Sequence, residues 1–223
     1  KGAQGSSPKK VPSWSAPDCA DEDQPDGKIA QSVIKALRKY RDKPFFFGMG
    51  LLKPHLPFVA PKKYYDLYPP EKVTLAPNPD PPKGVPEVAL HNSGELRSYT
   101  DIPKEGPIPD DKARELIRGY WAATSFMDAQ LGKVLDELDR LKLRRRTIVI
   151  LWGDHGWHLG DHGLWNKHTN FENAARGAMM ISVPGRKTAG RKCSALTEYI
   201  DIFPSLCELC GFPRPDGLEG LSF

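Results

Sequence analysis

Five of the six histidines in this chain, His55, His155, His158, His162 and His168, follow two apolar runs, and only His91 lies elsewhere. A hydrophobic core has no need of that distribution, whereas a site built at the ends of buried strands does. The densest stretch is Gly153-Asp154-His155-Gly156-Trp157-His158-Leu159-Gly160-Asp161-His162-Gly163. An aspartate directly after a strand can present its carboxylate to a cation, and glycines beside it let the backbone turn sharply. Asp154 is therefore the first candidate metal ligand and His155 the second, with His158 and His162 available for a histidine set of the kind zinc takes. The spacing leaves calcium and zinc both open. A hard cation takes about six to eight oxygens, so this loop alone is an incomplete donor set.

Two further segments carry groups suited to an anion. Trp165-Asn166-Lys167-His168-Thr169-Asn170 follows the glycine-rich run. A surface lysine is usually only solvated, but one held near a bound divalent cation can grip an anionic ester oxygen. In Lys53-Pro54-His55-Leu56-Pro57 the prolines restrict the backbone on both sides of the imidazole. That suits a histidine that must meet a substrate oxygen within hydrogen-bond reach. Lys53, His55, Lys167 and His168 are the candidate substrate-binding residues.

These residues need strands and helices to hold them. Ile29, Val33, Leu37 and Tyr40 recur at helical spacing, predicting a helix over Lys28–Lys43 with Asp26 as its cap and Pro44 as its stop. The apolar run Phe45–Leu52, bounded by Pro44 and Pro54, reads as a strand buried on both faces. Fourteen of the 22 prolines fall between Pro44 and Pro109, so 44–109 after that strand is a long irregular excursion of the kind that often carries function. Asp110 or Asp111 starts a long helix through Leu141, interrupted by Gly119 and Gly132 and packed on a sheet. Strands follow at Thr147–Trp152, running straight into the Asp154 loop, and at Met179–Val183; a short amphipathic helix then spans Asp201 to Cys210 before Gly211. The order predicts an α/β fold with a mainly parallel sheet flanked by helices, whose ligands gather at the strand ends.

Composition narrows the class. With 223 residues, 27% charged and 39% hydrophobic, the chain has enough material for one domain with a real core. A net charge of +4 gives no strong field for nucleic acid, and no apolar run approaches a membrane span, so neither partner is expected. Residues 1–27 read as a polar, acidic, solvated loop through Asp18, Asp21, Glu22, Asp23 and Asp26, and 28–223 as the remainder of a domain. Lys1–Lys10 is no targeting segment, and both ends read as cut from something longer. Cys19, Cys193, Cys207 and Cys210 are too few and uneven for a disulfide framework, and Cys207 and Cys210 read as a packed helical pair rather than a redox or zinc pair.

Pro44-Phe45-Phe46-Phe47-Gly48-Met49-Gly50 with Lys53-Pro54-His55-Leu56-Pro57-Phe58, and Asp154-His155-Gly156-Trp157 through Gly160, His162-Gly163, Trp165 and Lys167, closely resemble sulfatases of the iduronate-2-sulfatase group, from about Pro17 to Phe223. The resemblance implies the C-terminal part of an alkaline-phosphatase-like sandwich, incomplete without an N-terminal half. It implies that Asp154 and His155 ligate one divalent cation, calcium, and that His55 and Lys167 are catalytic, binding the sulfate group and assisting departure of the sugar oxygen. It implies a sulfated saccharide substrate, such as sulfated uronic acids of glycosaminoglycans, and a periplasmic, secreted or lysosomal setting. The family nucleophile is a formylglycine made from the cysteine of Cys-x-Pro-Ser-Arg, and none of the four cysteines here begins that pattern. The chain alone is therefore expected to be inactive. Two other functions stay open: a phosphoryl or phosphonyl hydrolase of the same superfamily, using His158 and His162 on a second metal, and a non-catalytic binder of sulfated sugar.

Overall fold

The computed structural model describes residues 11–223, so the first ten residues of the polar stretch lie outside the described residues. The chain divides at Gly185 into a larger unit and a smaller one. The larger contains β1 (Trp14–Ser15), α1 (Pro25–Tyr40), β2 (Phe58–Val59), α2 (Lys62–Tyr65), α3 (Gly94–Arg97), α4 (Asp110–Arg140), β3 (Val149–Trp152), β4 (His158–Leu159), β5 (Trp165–Asn166), α5 (Glu172–Ala175) and β6 (Met179–Ser182).

Helix α4 is the spine. Asp110 and Asp111 in its first turn and Arg140 in its last complement the helix dipole. It runs unbroken through Gly119 and Gly132. Gly119 is a contact point rather than an interruption: a Cβ there would lie 3.1 Å from Phe58 Cβ and 3.2 Å from the Tyr65 hydroxyl, so β2 and α2 sit directly on the helix backbone. The helix's C-terminal half packs Val134 and Leu138 against Ala30, Ile34 and Leu37 of α1. Its N-terminal half buries Leu116 and Ile117 in a cluster with Leu56, Phe58, Leu96, Tyr99 and Trp165. That second cluster lies under all three segments that carry the candidate site.

The fold is α/β, but the short ladders are not predominantly parallel. β1 pairs with β2 in parallel, while β3 pairs with β6 and β4 with β5 antiparallel. A parallel return needs a crossover, usually helical, of a dozen or more residues. Between β3 and β6 the chain carries only the small β4–β5 ladder and the single turn of α5, and so comes back antiparallel. Phe45–Leu52 is not a strand buried on both faces. It is extended without a partner strand among the described residues; Phe45, Phe47 and Met49 pack on the α1–α4 cluster while Phe46 is exposed.

The acidic stretch is not uniformly solvated. Asp18, Glu22 and Asp23 are exposed, but Asp21 and Asp26 are buried because each finds donors. Helix α1 starts three residues early, at Pro25, which fits the first turn without a donor, so Asp26 lies inside the helix rather than capping it. In the smaller unit, α6 (Ile202–Leu209) is entered through Asp201, whose carboxylate accepts from Glu198 N at 2.8 Å and Leu221 N at 2.7 Å. Cys207 is half-buried and Cys210 exposed, both as free thiols, so the expected packed pair does not form. Among the described residues no helix is long and apolar enough to cross a membrane.

Candidate active site

The loop carrying His55 is held from three sides. Asp26 accepts from Leu52 N and Lys53 N, both at 2.9 Å, one through each carboxylate oxygen. Lys53 turns its ammonium onto His55 O at 3.1 Å and Pro57 O at 2.7 Å, and burial pushes its pKa down, partly offset by Asp26. The structure thus engages Lys53, expected to bind substrate, with the carbonyls of its own loop. His55 Nδ1 lies 2.6 Å from Leu56 O. A carbonyl only accepts, so Nδ1 carries the hydrogen and Nε2 is the nitrogen left for chemistry.

The Asp154 loop follows β3 as expected. Gly153 N donates to Ala178 O at 2.9 Å and Gly156 N to Ala174 O at 2.7 Å, pinning the loop at both ends to the segment before β6. Between those pins the Asp154 side chain is exposed and its Oδ2 lies 3.6 Å from His155 Nε2. His155 Nδ1 donates to Gly156 O at 2.7 Å, which again leaves Nε2 as the free nitrogen. A Cβ on Gly156 would meet Asn173 O at 2.1 Å. Gly156→Ala is therefore expected to destabilise the protein by about 1–3 kcal/mol by forcing the loop off its seat. Thermal unfolding of the variant beside the parent checks this.

The third segment brings Lys167 to the others. Its ammonium lies 3.2 Å from His55 Nε2, and 5.0 Å from the centre of the Trp157 ring, which it overlies. Trp157 joins the two halves of the site: His155 stacks on it at 6.0 Å between ring centres, and His55 meets it edge-on at 6.2 Å. Glu95, on α3, is the counter-ion. Its Oε1 accepts from Lys167 at 3.0 Å and lies 3.2 Å from His55 Nε2. Its Oε2 lies 2.9 Å from Lys167 and 3.5 Å from His168 Nε2. Burial pushes the Glu95 pKa up, but the Lys167 hydrogen bond and the charges of Lys167, His55 and His168 hold it below its ordinary value. Helix α3 is tied to β5 by Leu96 N on Asn166 Oδ1 at 3.3 Å and Trp165 N on Ser93 Oγ at 3.1 Å. A cavity of about 550 Å³ opens beside Lys167, His168 and Asn170, with Val88 on its wall.

Asp154, His155, His55, Lys167 and His168 are thus drawn into one neighbourhood. His158 has a different setting: it is fully buried, its Nε2 meets Thr169 Oγ1 at 2.9 Å, and burial pushes its pKa down. Its ring packs on His162 and Phe171. It braces the loop that follows Lys167. Among the described residues no three His, Cys, Asp or Glu side chains are grouped to hold a metal ion. Two donors at right angles on one cation at about 2.4 Å lie about 3.4 Å apart. The 3.6 Å between Asp154 Oδ2 and His155 Nε2 fits neighbouring ligands of a single ion, with His155 Nδ1 on a carbonyl as metal-binding histidines require. The pair fits part of a divalent-cation site. Glu95 was not read from the sequence: a lone Glu in the proline-rich excursion has no spacing signal. Trp157 was visible only as a member of its motif.

The sequence profile of the family described as Sulfatase matches residues 4–212. Iduronate 2-sulfatase of Mus musculus is 37% identical over 223 aligned residues, covering 86% of this chain and 40% of the relative. The Homo sapiens protein of that name is 35% identical with the same coverage. The chain spans about 40% of the length of these relatives. Among solved structures, a phosphonate monoester hydrolase from Silicibacter pomeroyi superposes with a TM-score of 0.78 at 25% identity, covering 92% of this chain and 41% of that one. A protein solved with its substrate D-glucosamine-2-N,6-O-disulfate superposes at 0.74 and 18% identity, covering 88% and 50%, a likeness of fold alone. The architecture is that of sulfatase and alkaline-phosphatase-like domains, present here as a partial domain. With a profile match over nearly its whole length and relatives above 30% identity, the chain belongs to the sulfatase family.

Proposed function

We propose that this chain supplies the cation-binding and leaving-group side of a sulfuric ester hydrolase acting on sulfated uronic acids of glycosaminoglycans or related polysaccharides. The observation that carries the reading is the approach of Lys167 Nζ to 3.2 Å from His55 Nε2, on the Trp157 ring that also stacks with His155. Asp154 and His155 would hold the calcium ion, which when bound polarises the ester oxygens. Lys167 offers its ammonium to a sulfate oxygen. His55, braced through Asp26 and Lys53, presents Nε2 toward the bridging sugar oxygen; with a second proton taken up from water on Nε2, beside the one on Nδ1, it delivers that Nε2 proton to the oxygen as the S–O bond breaks. Since no cysteine here lies in Cys-x-Pro-x-Arg, we assign turnover to the complete assembly bearing the formylglycine and inactivity to this chain alone.

A second reading, a phosphonate monoester hydrolase, is favoured by the superposition at a TM-score of 0.78. The test is sulfate release from a 2-O-sulfated uronic acid by the complete protein with calcium, run beside an aryl phosphonate monoester. Sulfate release in preference to phosphonate cleavage is expected. Cleavage of the phosphonate alone selects the second reading, and no cleavage of either rejects both.

A further inference from the structure

A site meant for anions holds a carboxylate at its centre. Glu95 lies within 3.5 Å of the functional nitrogens of Lys167, His55 and His168, and its side chain is only 18% exposed. Helix α3, which carries it, is fixed to β5 by two hydrogen bonds, so Glu95 is built in rather than swung in from solvent. Tyr99 faces the same carboxylate from the core; burial, and then the Glu95 charge, push its hydroxyl pKa up to about 12. His91 is half-buried beside His168, and burial and then His168 push its pKa down. One ammonium and two imidazoles thus meet the one carboxylate, so the lysine that would grip an anion already has a built-in counter-ion.

The consequence is chemical. A sulfate monoester carries one negative charge, whereas a phosphate monoester, with a second pKa of about 6, carries nearly two at pH 8. The two are close in shape, so shape discriminates poorly between them. A fixed carboxylate within hydrogen-bond distance of the anion-gripping lysine penalises the second charge more than the first, most strongly where water is scarce.

We propose that Glu95 is a specificity-determining residue that sets the anion pocket for singly charged esters and against dianionic phosphate monoesters. This rests on the anion-binding role given above to Lys167 and His55. It concerns which anion is admitted, not how the ester is cleaved.

The test is calorimetric binding of methyl sulfate and methyl phosphate to the complete protein with calcium at pH 8. The wild type is expected to prefer methyl sulfate. Glu95→Gln keeps the shape and removes the charge, and is expected to shift the ratio of the two affinities toward methyl phosphate by about tenfold. At pH 5, where methyl phosphate becomes a monoanion, the wild type is expected to lose most of its discrimination. An unchanged ratio in Glu95→Gln overturns the proposal even if sulfatase activity is intact. Binding of neither anion by the wild type overturns the pocket itself, and with it the reading of function. Should Glu95→Gln fail to fold, the pH 5 measurement on the wild type decides alone, since discrimination that persists there is not a matter of charge.

Discussion

Replacing Lys167 with Met is expected to cut sulfate release from a 2-O-sulfated uronic acid by about 10²–10³-fold in the complete protein, the scale of losing one preorganised electrostatic contact. The ammonium is largely shielded, pressed between Trp157 and Glu95, so bulk water does not replace it when it is removed. Methionine keeps most of the apolar stem against the indole and deletes only the charge. His55→Ala should cost about 10²–10⁴-fold, the usual scale for a general acid or base. Because Lys167 Nζ and His55 Nε2 lie 3.2 Å apart, the double variant should lose much less than the product of the single losses. Steady-state rates for the three variants check this, and full multiplicativity would mean that the two side chains act independently of each other.

Replacing Asp21 with Asn is expected to lower stability by about 2–3 kcal/mol, because it takes the charge from a buried acceptor and leaves its donors mismatched. Asp21 is 4% exposed and meets Lys133 Nζ at 2.8 Å, Lys63 Nζ at 2.8 Å, the Tyr64 hydroxyl at 2.9 Å and Gln130 Nε2 at 3.1 Å. The figure is kept below that of a fully buried pair because Lys63 is 60% exposed and Lys133 33% exposed, which lets solvent screen both. Burial alone would raise the Asp21 pKa, but Lys133, Lys63, Gln130 and Tyr64 outweigh it and hold the carboxyl far below its ordinary value. A depressed folded-state pKa gives stability that is fully present above about pH 4, the unfolded carboxylate value, and drains away as pH falls toward the folded one. Urea unfolding of parent and variant should therefore differ by a constant amount from pH 5 to pH 7 and converge below pH 4. A gap unchanged down to pH 3 would show that the ion pairs contribute nothing.

Much of this was legible in the sequence because it rests on periodicity and on dense motifs. Helix α4 follows from its apolar spacing, and β3 running into Asp154 follows from an apolar run ending at a glycine. That His55 and Lys167 serve one site is what the family resemblance implies, and in the structure their nitrogens lie 3.2 Å apart. What was hidden depends on partners far along the chain. Asp21 and Asp26 read as solvated because nothing local announces Lys133, or the backbone amides of Leu52 and Lys53. Phe45–Leu52 read as a buried strand because an apolar run does not say how many of its faces are covered. Lys53 read as a substrate contact because sequence cannot show an ammonium folded back on its own loop. Glu95 reaches the site through helix α3 and its ties to Asn166 and Trp165, a route no local pattern encodes.

The most direct measurement is the NMR response of histidine-labelled and tryptophan-labelled protein, with calcium present, to titration with methyl sulfate. If Lys167, His55 and the His155 pair border one anion pocket on Trp157, the His55, His155 and His168 ring signals and the Trp157 indole signal move together along one saturation curve, while buried His158 stays still. Movement of His55 without the Trp157 and His155 signals, or no movement in any of them, would mean that these side chains are neighbours without a common ligand.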